Sequence, residues 1–389
     1  MSKTTKKKET LCLWLLLLIP LFDWASTLLN PLKPVSTRKY RPIESDALSA
    51  KFPPYFKSNQ KPEILIVGSS LPMCAFTLPD QTLRRAAEKG IDHMPILMSY
   101  SRAEEFQKAL KDKLKIEGEV SNLTCAGCMV SDTYTLLKRL IEANRAPLMV
   151  LYGIAPRDFA DNMMPKIGES PLCLALADWS GKLSKPQPTA SEYLSFYIGK
   201  YSNFYKTRNR YRNAFTEIAA DNLGRPISLY AASHPETAGS ENSINTKSLK
   251  ENVIAAPKVD KAPIDHDLEL YKTRYNPLSL DRLNTEKVSL NKLVELCQSN
   301  KITLLIIEMP LTERNRNLMP ADLVVSYQTA IANASENKVV KVIDFFTPDY
   351  FTPPDFSDSA HLNIVGSAKF QNLLVKEMKR REIRPCVTF

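Results

Sequence analysis

The sequence predicts an α/β fold: a parallel sheet flanked by helices in three layers, with a long insertion after the third strand. Two observations carry this. Short, continuous apolar runs recur along the chain, and segments of helical periodicity lie between them. Strands buried on both faces of a parallel sheet read as unbroken apolar runs rather than as alternating ones. Strands separated by helices are the pattern of α/β layering.

The five strand candidates, most of them continuous apolar runs, are Ile64–Val67, Val120–Leu123, Leu148–Tyr152, Ile302–Ile307 and Val339–Ile343. Helices are expected over Ser131–Asn144 and Leu290–Gln298. A last helix follows Asn363, with Phe370, Leu374 and Met378 on one face at a spacing of four. The insertion runs from about 155 to 285. Within it Ser191–Ala220 reads as a helix rich in tyrosine, and the polar stretch Ser233–Lys261 reads as an irregular loop. Such an insertion suits a lid, a partner surface or a substrate platform.

Ahead of the first strand the chain divides in two. Residues 1–29 open with Lys3, Lys6, Lys7 and Lys8 and continue into an apolar stretch from Leu11 to Leu29. This is the layout of a secretory signal. Cleavage after Ala25 would put Asp23 three residues from the scissile bond, so an uncleaved signal anchor is favoured over a cleaved peptide or a peripheral helix. The stretch is close to the ~20 residues a spanning helix needs. Basic residues flank it on both sides, and the short tail is assigned to the cytoplasm, as is common for signal anchors. Residues 30–61 carry Pro31, Pro34, Pro42, Pro53 and Pro54, which favour an extended tether. The folded domain is expected over 62–389.

Composition narrows the function classes. Hydrophobic residues make up 44% and charged residues 24% of the chain, which is globular rather than disordered. The formal charge is +10, but the lysines and arginines are scattered and no basic cluster with interleaved aromatics stands out. Nucleic acid is not expected as a partner. Cys125 and Cys128 form a lone CxxC with no second pair at metal spacing, so no zinc site is expected. One disulfide and buried free thiols both remain open. No cofactor is implied. Asp265-His266-Asp267 is discounted as a metal site, because neighbours on an extended chain point to opposite faces.

Ligands of open parallel sheets bind at the carboxyl ends of the strands. The residues there are Gly68-Ser69-Ser70-Leu71 after the first strand and "TCAGCMVSD" with Gly127 after the second. The third strand is followed by "YGIAPRDFADN", with Gly153, Arg157, Asp158 and Asn162. "FSDSAHLNIVG", with Asp358 and His361, precedes the last helix. Glycine is scarce, at 11 residues, and scarce glycines tend to sit where only glycine fits. Taken singly, "GSS" is a turn or a phosphate loop, and the latter fails for lack of a following GK[ST]. What joins these blocks is their order and placement.

In that order the blocks resemble the SGNH, or GDSL-like, hydrolase superfamily, whose core is flavodoxin-like. "GSSL" resembles its nucleophile block, with serine for aspartate, which implies Ser70 as nucleophile. Gly127 falls at its oxyanion glycine, and Asp358-Ser359-Ala360-His361 matches its D-x-x-H block, followed by a similar "HLN..G" continuation. The resemblance covers roughly 62–382. The third block departs: the family's G-x-N-D asparagine is absent after Gly153, and Arg157 or Asn162 is the expected substitute. Such a departure resembles the membrane-associated branch, such as alginate O-acetylation proteins and the D-alanine-transfer D protein of teichoic acid systems.

The roles follow from chemistry as well. A serine hydroxyl needs a base to take its proton. His361 can do this, with Asp358 fixing its tautomer, while the N–H groups of Ser70 and Gly127 can hold an oxyanion. The resemblance implies a membrane-anchored O-acyltransferase or esterase, its domain outside the cytoplasm, acting on a glycan or envelope polymer, with a membrane-bound acyltransferase as a candidate partner. The basic balance and the tyrosine-bearing insertion suit an extended acidic polymer. A non-catalytic assembly or binding protein on the same fold, and a lipid esterase facing the cytoplasm, are the competing expectations.

Overall fold

The computed structural model describes residues 21, 51–52, 55–56, 62–88, 94–164, 170, 172–173, 175–176, 190–201, 261–347 and 350–385. The chain divides into two units, one comprising 1–42 and 181–238, the other 43–180 and 239–389.

The larger unit is α/β. Its strands are β1 (Ile64–Gly68), β2 (Val120–Asn122), β3 (Met149–Ile154), β4 (Thr303–Glu308) and β5 (Val340–Asp344). They form one sheet in the order β2-β1-β3-β4-β5, and every pairing is parallel. Each expected strand is present, its ends moved by no more than about two residues, the ordinary uncertainty of such boundaries. β1, β2, β3 and β4 are buried at every position; in β1, β3 and the middle of β4 this gives unbroken apolar runs, whereas β2 buries Ser121 and Asn122. β5, at the edge, exposes Lys341.

Between β1 and β2 lie α1 (Ser70–Thr77), α2 (Gln81–Glu88), α3 (Met94–Ser99) and α4 (Glu104–Leu114). α5 (Val130–Glu142) leads to β3, and the short α6 (Arg157–Ala160) follows it. The smaller unit is described chiefly at one helix, α7 (Ala190–Tyr201). Then come α8 (Lys261–Tyr275) and α9 (Leu280–Ser299) before β4, α10 (Glu313–Arg316) and α11 (Ala321–Ser335) before β5, and α12 (Ile364–Arg380) at the end. α12 packs on α1 and α4, while α9 packs on α5, α6 and α11. A parallel sheet wound in this order needs helices on both faces, because each crossover must lie over the sheet. On the first set, Phe76 of α1 makes edge-on contacts with Phe106 of α4 at 4.9 Å and Phe370 of α12 at 5.4 Å, each worth about 0.5–1.5 kcal/mol beyond area burial. Phe370, Leu374 and Met378 are all buried, as their spacing requires.

Three segments differ from expectation. Lys51, Phe52, Tyr55 and Phe56, assigned to the extended tether, are helical and buried, and the three aromatic residues join the core. Arg145 stacks its guanidinium 4.4 Å from the Tyr55 ring centre and donates to the Tyr55 carbonyl at 3.0 Å. The prolines do not prevent this, because aromatic burial outweighs a weak local preference. The helix expected at Leu290–Gln298 begins ten residues earlier, at Leu280, where the Ser279 side chain accepts from the Arg282 N–H. Finally, the end of the insertion, where the sequence marked no element, forms α8 and the start of α9, with Tyr271, Tyr275 and Leu283 buried in the core.

The apolar segment 11–29, apart from Leu21, lies outside the described residues, as do most of the tether, the remainder of the helix expected over 191–220 and nearly all of the loop expected over 233–261. Among the described residues no helix is long and apolar enough to cross a membrane.

Candidate functional site

β1 ends at Gly68, whose φ is +126°. A Cβ there would stand 2.3 Å from the Gly153 carbonyl oxygen, its register partner on β3. A Cβ on Gly153 would in turn strike Pro72 of α1 at 2.5 Å. This close meeting of two strands and a helix needs both glycines. It turns the chain sharply and starts α1 at Ser70, so the Ser70 side chain stands at the carboxyl end of the sheet, at a helix N-terminus. The site lies where strand order reverses, between β1 and β3.

The second block is drawn alongside by an extension of the β1–β2 ladder: Leu123 N–H donates to the Ile66 carbonyl and Cys125 N–H to that of Gly68, both at 2.9 Å. A turn closes from the Cys128 N–H to the Cys125 carbonyl at 3.0 Å. Gly127 within it has φ +72° and Met164 Sδ packed against its α-carbon. Among the described residues nothing accepts from the Gly127 N–H. Cys125 and Cys128 are buried free thiols, and burial pushes Cys128 well above the usual thiol range.

The last block folds into a tight loop. An isolated bridge joins Phe356 to Leu362, and Ser357 N–H donates to the His361 carbonyl at 2.8 Å. Asn363 caps α12 by accepting from the Gly366 N–H at 2.9 Å, and its amide donates to the Pro354 carbonyl at 2.7 Å. A Cβ on Gly366 would lie 2.0 Å from the Asp355 carbonyl oxygen. These contacts are the physical content of "HLNIVG": they hold the histidine at the start of a helix pinned to the loop before it.

The three side chains meet across this framework. Ser70 Oγ lies 2.8 Å from His361 Nε2, and His361 Nδ1 lies 2.7 Å from Asp358 Oδ2. The other oxygen of Asp358 accepts the N–H groups of Ala360 at 2.8 Å and His361 at 2.7 Å. Burial opposes the Asp358 charge, but His361 and these donors outweigh it and hold the carboxyl below its ordinary value. Asp358 is therefore an anion at neutral pH, accepting from Nδ1–H and leaving Nε2 free to take the serine proton.

Arg157 enters from α6. Its Nη2 donates to Ser70 Oγ at 3.2 Å, and its Nη1 donates to the Tyr271 hydroxyl at 3.2 Å. Burial disfavours its charge, but Tyr271, Asp158 and Asp161 more than offset this and raise its pKa, so it stays a cation. Asp158, 3.8 Å from the Arg157 Nε, accepts from the Ala155 N–H at 3.0 Å and braces the turn after β3. Burial pushes its carboxyl up to about 6 against the pull of Arg157.

No family model matches the chain, and no curated protein matches it.

Of the residues singled out in the sequence, Ser70, His361, Asp358 and Arg157 form one hydrogen-bonded chain. Asn162 is engaged elsewhere: its amide donates to the Pro277 carbonyl at 2.8 Å, and its N–H donates to the Arg274 carbonyl at 3.0 Å, tying it to the α8–α9 connection. Among the described residues, no group of His, Cys, Asp and Glu is arranged to hold a metal. The segment around Asp267 is helical rather than extended. Asp267 Oδ2 accepts from the Ser359 N–H at 2.9 Å and from the Ser359 hydroxyl. Burial, and then the negative charge of Asp358, push its carboxyl up to about 6. Asp267 and Tyr271 were not assigned to the site from the sequence. They lie more than eighty residues from the groups they touch, and a helical polar stretch carries no local sign of that contact.

Proposed function

We propose that this chain is a serine-dependent O-acyltransferase or esterase of the SGNH-like kind, with α8 and the segment before it as elaborations after the third strand. The observation that carries the reading is the continuous chain Asp358–His361–Ser70 with the Arg157 guanidinium on the serine oxygen. A serine merely ending a strand in a turn needs none of these partners.

The chemistry proceeds in two halves. His361 Nε2 takes the Ser70 proton as Oγ bonds to the acyl carbon, and Asp358 stabilises the imidazolium. The carbonyl oxygen becomes an oxyanion, held by the N–H groups of Ser70 and Gly127 and by Arg157, which supplies the donor that the absent third-block asparagine would give. The bond from the acyl carbon to the leaving oxygen breaks, and that oxygen takes the proton from His361. An acceptor hydroxyl, or water, then loses its proton to His361 and attacks the acyl-serine. The acyl group leaves on the acceptor, and the proton returns to Ser70 Oγ.

The acceptor we favour is a sugar hydroxyl of a glycan or other envelope polymer, with the larger unit outside the cytoplasm and the N-terminal segment as anchor. The basic balance of the chain and the apolar stretch after a lysine-rich start support this. The test is treatment of the full-length protein with a fluorophosphonate probe, followed by mapping of the adduct. Labelling at Ser70, abolished in Ser70→Ala, supports the reading. A properly folded chain that leaves Ser70 unmodified overturns it in favour of a non-catalytic binding protein.

A further inference from the structure

One face of α8 grips both halves of the catalytic constellation without reaching a reacting atom. Asp267, Tyr271 and Tyr275 are spaced by four, so they form a single stripe along the helix. At one end of the stripe, Asp267 Oδ2 accepts from the N–H and hydroxyl of Ser359. Ser359 lies between Asp358 and His361 in the chain. At the other end, the Tyr275 hydroxyl donates to Asn315 Oδ1 at 2.8 Å, and Asn315 Nδ2 donates to the same Ser359 hydroxyl at 2.9 Å. The loop bearing the base is thus held at Ser359 by a ring of contacts that starts and ends on α8. Thr312 of the segment preceding α10 adds its hydroxyl, which donates to the Ser359 carbonyl at 2.8 Å. In the middle of the stripe, the Tyr271 hydroxyl accepts from Arg157 Nη1 at 3.2 Å, while Arg157 Nη2 is spent on Ser70 Oγ.

We propose that Asp267 and Tyr271 are positioning residues of the catalytic site: Asp267 fixes the loop that carries Asp358 and His361, and Tyr271 fixes the Arg157 guanidinium against Ser70. The inference rests on the catalytic reading above and assigns it two residues beyond the triad. Each acts through another residue. An acyl-transfer site tolerates little error in the placing of its base and its oxyanion donors, and a displacement of about 1 Å can cost on the order of 100-fold in rate. A carboxylate accepting two hydrogen bonds from one loop residue is a strong, directional hold. A tyrosine hydroxyl on one arm of a guanidinium leaves the other arm aimed.

The test measures the maximal rate of fluorophosphonate labelling, kinact, on the full-length protein, with the final labelled fraction as the count of intact sites. Asp267→Ala and Tyr271→Phe are each expected to lower kinact by roughly 10- to 100-fold per intact site, with little change in the half-saturating probe concentration. Asp267→Asn keeps an acceptor for the Ser359 N–H and should recover most of the loss. In an Arg157→Ala background, Tyr271→Phe should cost nothing further, because it acts through the arginine, whereas Asp267→Ala should still cost its full factor. Wild-type kinact per intact site in both single variants overturns the inference while leaving the catalytic reading standing. So does a loss confined to the labelled fraction, which marks a merely structural role. A wild-type chain whose Ser70 is not labelled at all overturns the catalytic reading, and this inference with it.

Discussion

Asp358→Asn tests the site by a single isosteric change whose consequence follows from the hydrogen bonds around it. In the native chain one carboxylate oxygen accepts two backbone N–H groups, from Ala360 and His361, and the other faces His361 Nδ1 at 2.7 Å. An asparagine must keep its carbonyl oxygen toward the two N–H groups, since an NH2 group there would oppose two donors. The NH2 is then directed at Nδ1. That nitrogen must become the acceptor, so the ring proton moves to Nε2, 2.8 Å from Ser70 Oγ. A base already carrying a proton on its working nitrogen cannot take another. In serine proteases the same kind of change lowers kcat by about 10⁴ with the geometry intact, equivalent to about 5.4 kcal/mol of transition-state stabilisation. Hydrolysis of 4-nitrophenyl acetate and the rate of fluorophosphonate labelling are the assays, with a crystal structure or thermal melt to show the variant folded. A variant within about tenfold of wild type would refute the reasoning, because it would mean that His361 does not depend on Asp358 for its tautomer.

Other outcomes are expected at separate positions. Arg157→Ala should lower kcat by roughly 10²–10³, the loss typical of one oxyanion donor, and Arg157→Lys should recover little of it because an ammonium cannot serve Ser70 and Tyr271 at once; steady-state kinetics per titrated site decide this. Gly68→Ala should cost about 2–4 kcal/mol in urea unfolding, combining a left-handed φ with a Cβ driven 2.3 Å from the Gly153 oxygen; a loss below about 1 kcal/mol would show that the junction relaxes freely. Glu286 is buried against Ser131, and burial raises its carboxyl to about 8. The folded state therefore holds a proton that the unfolded chain has released, so this contribution to stability falls as pH rises from about 4.5 to about 8, by at most about 1.4 kcal/mol per pH unit. Glu286→Gln should flatten that slope in unfolding measurements across the range, and an unchanged slope would place the titration elsewhere.

What the sequence revealed, and what it hid, divides by the range of the forces involved. Strands β1, β3 and β4 were legible because burial on both faces fills them with apolar residues, whereas β2 buries Ser121 and Asn122 and was marked only by Val120 and the Leu123 that follows it. The hydrogen-bonded chain of the candidate site was legible because each of its blocks sits at a strand end or a helix start, where a glycine or an N-cap marks the turn. Gly68, Gly127 and Asn363 carry that information locally. Phe52 and Tyr55 were hidden among prolines, since nothing nearby announces that their rings reach the core. Asn162 stands in the block after β3, where the resemblance places an oxyanion donor. Yet α6 ends at Ala160, and the residues after it turn toward the carbonyls that close α8, where a side-chain amide is needed to satisfy Pro277. The stripe on α8 was the least legible feature. An aspartate and two tyrosines spaced by four are as consistent with a wet helix face as with a buried one, and only the folded chain brings them to Ser359, Arg157 and Asn315. With the period of a helix, Asp267 falls in line with Tyr271 and Tyr275, and that alignment, rather than the adjacency of Asp265, His266 and Asp267, leads to the loop that carries Asp358 and His361.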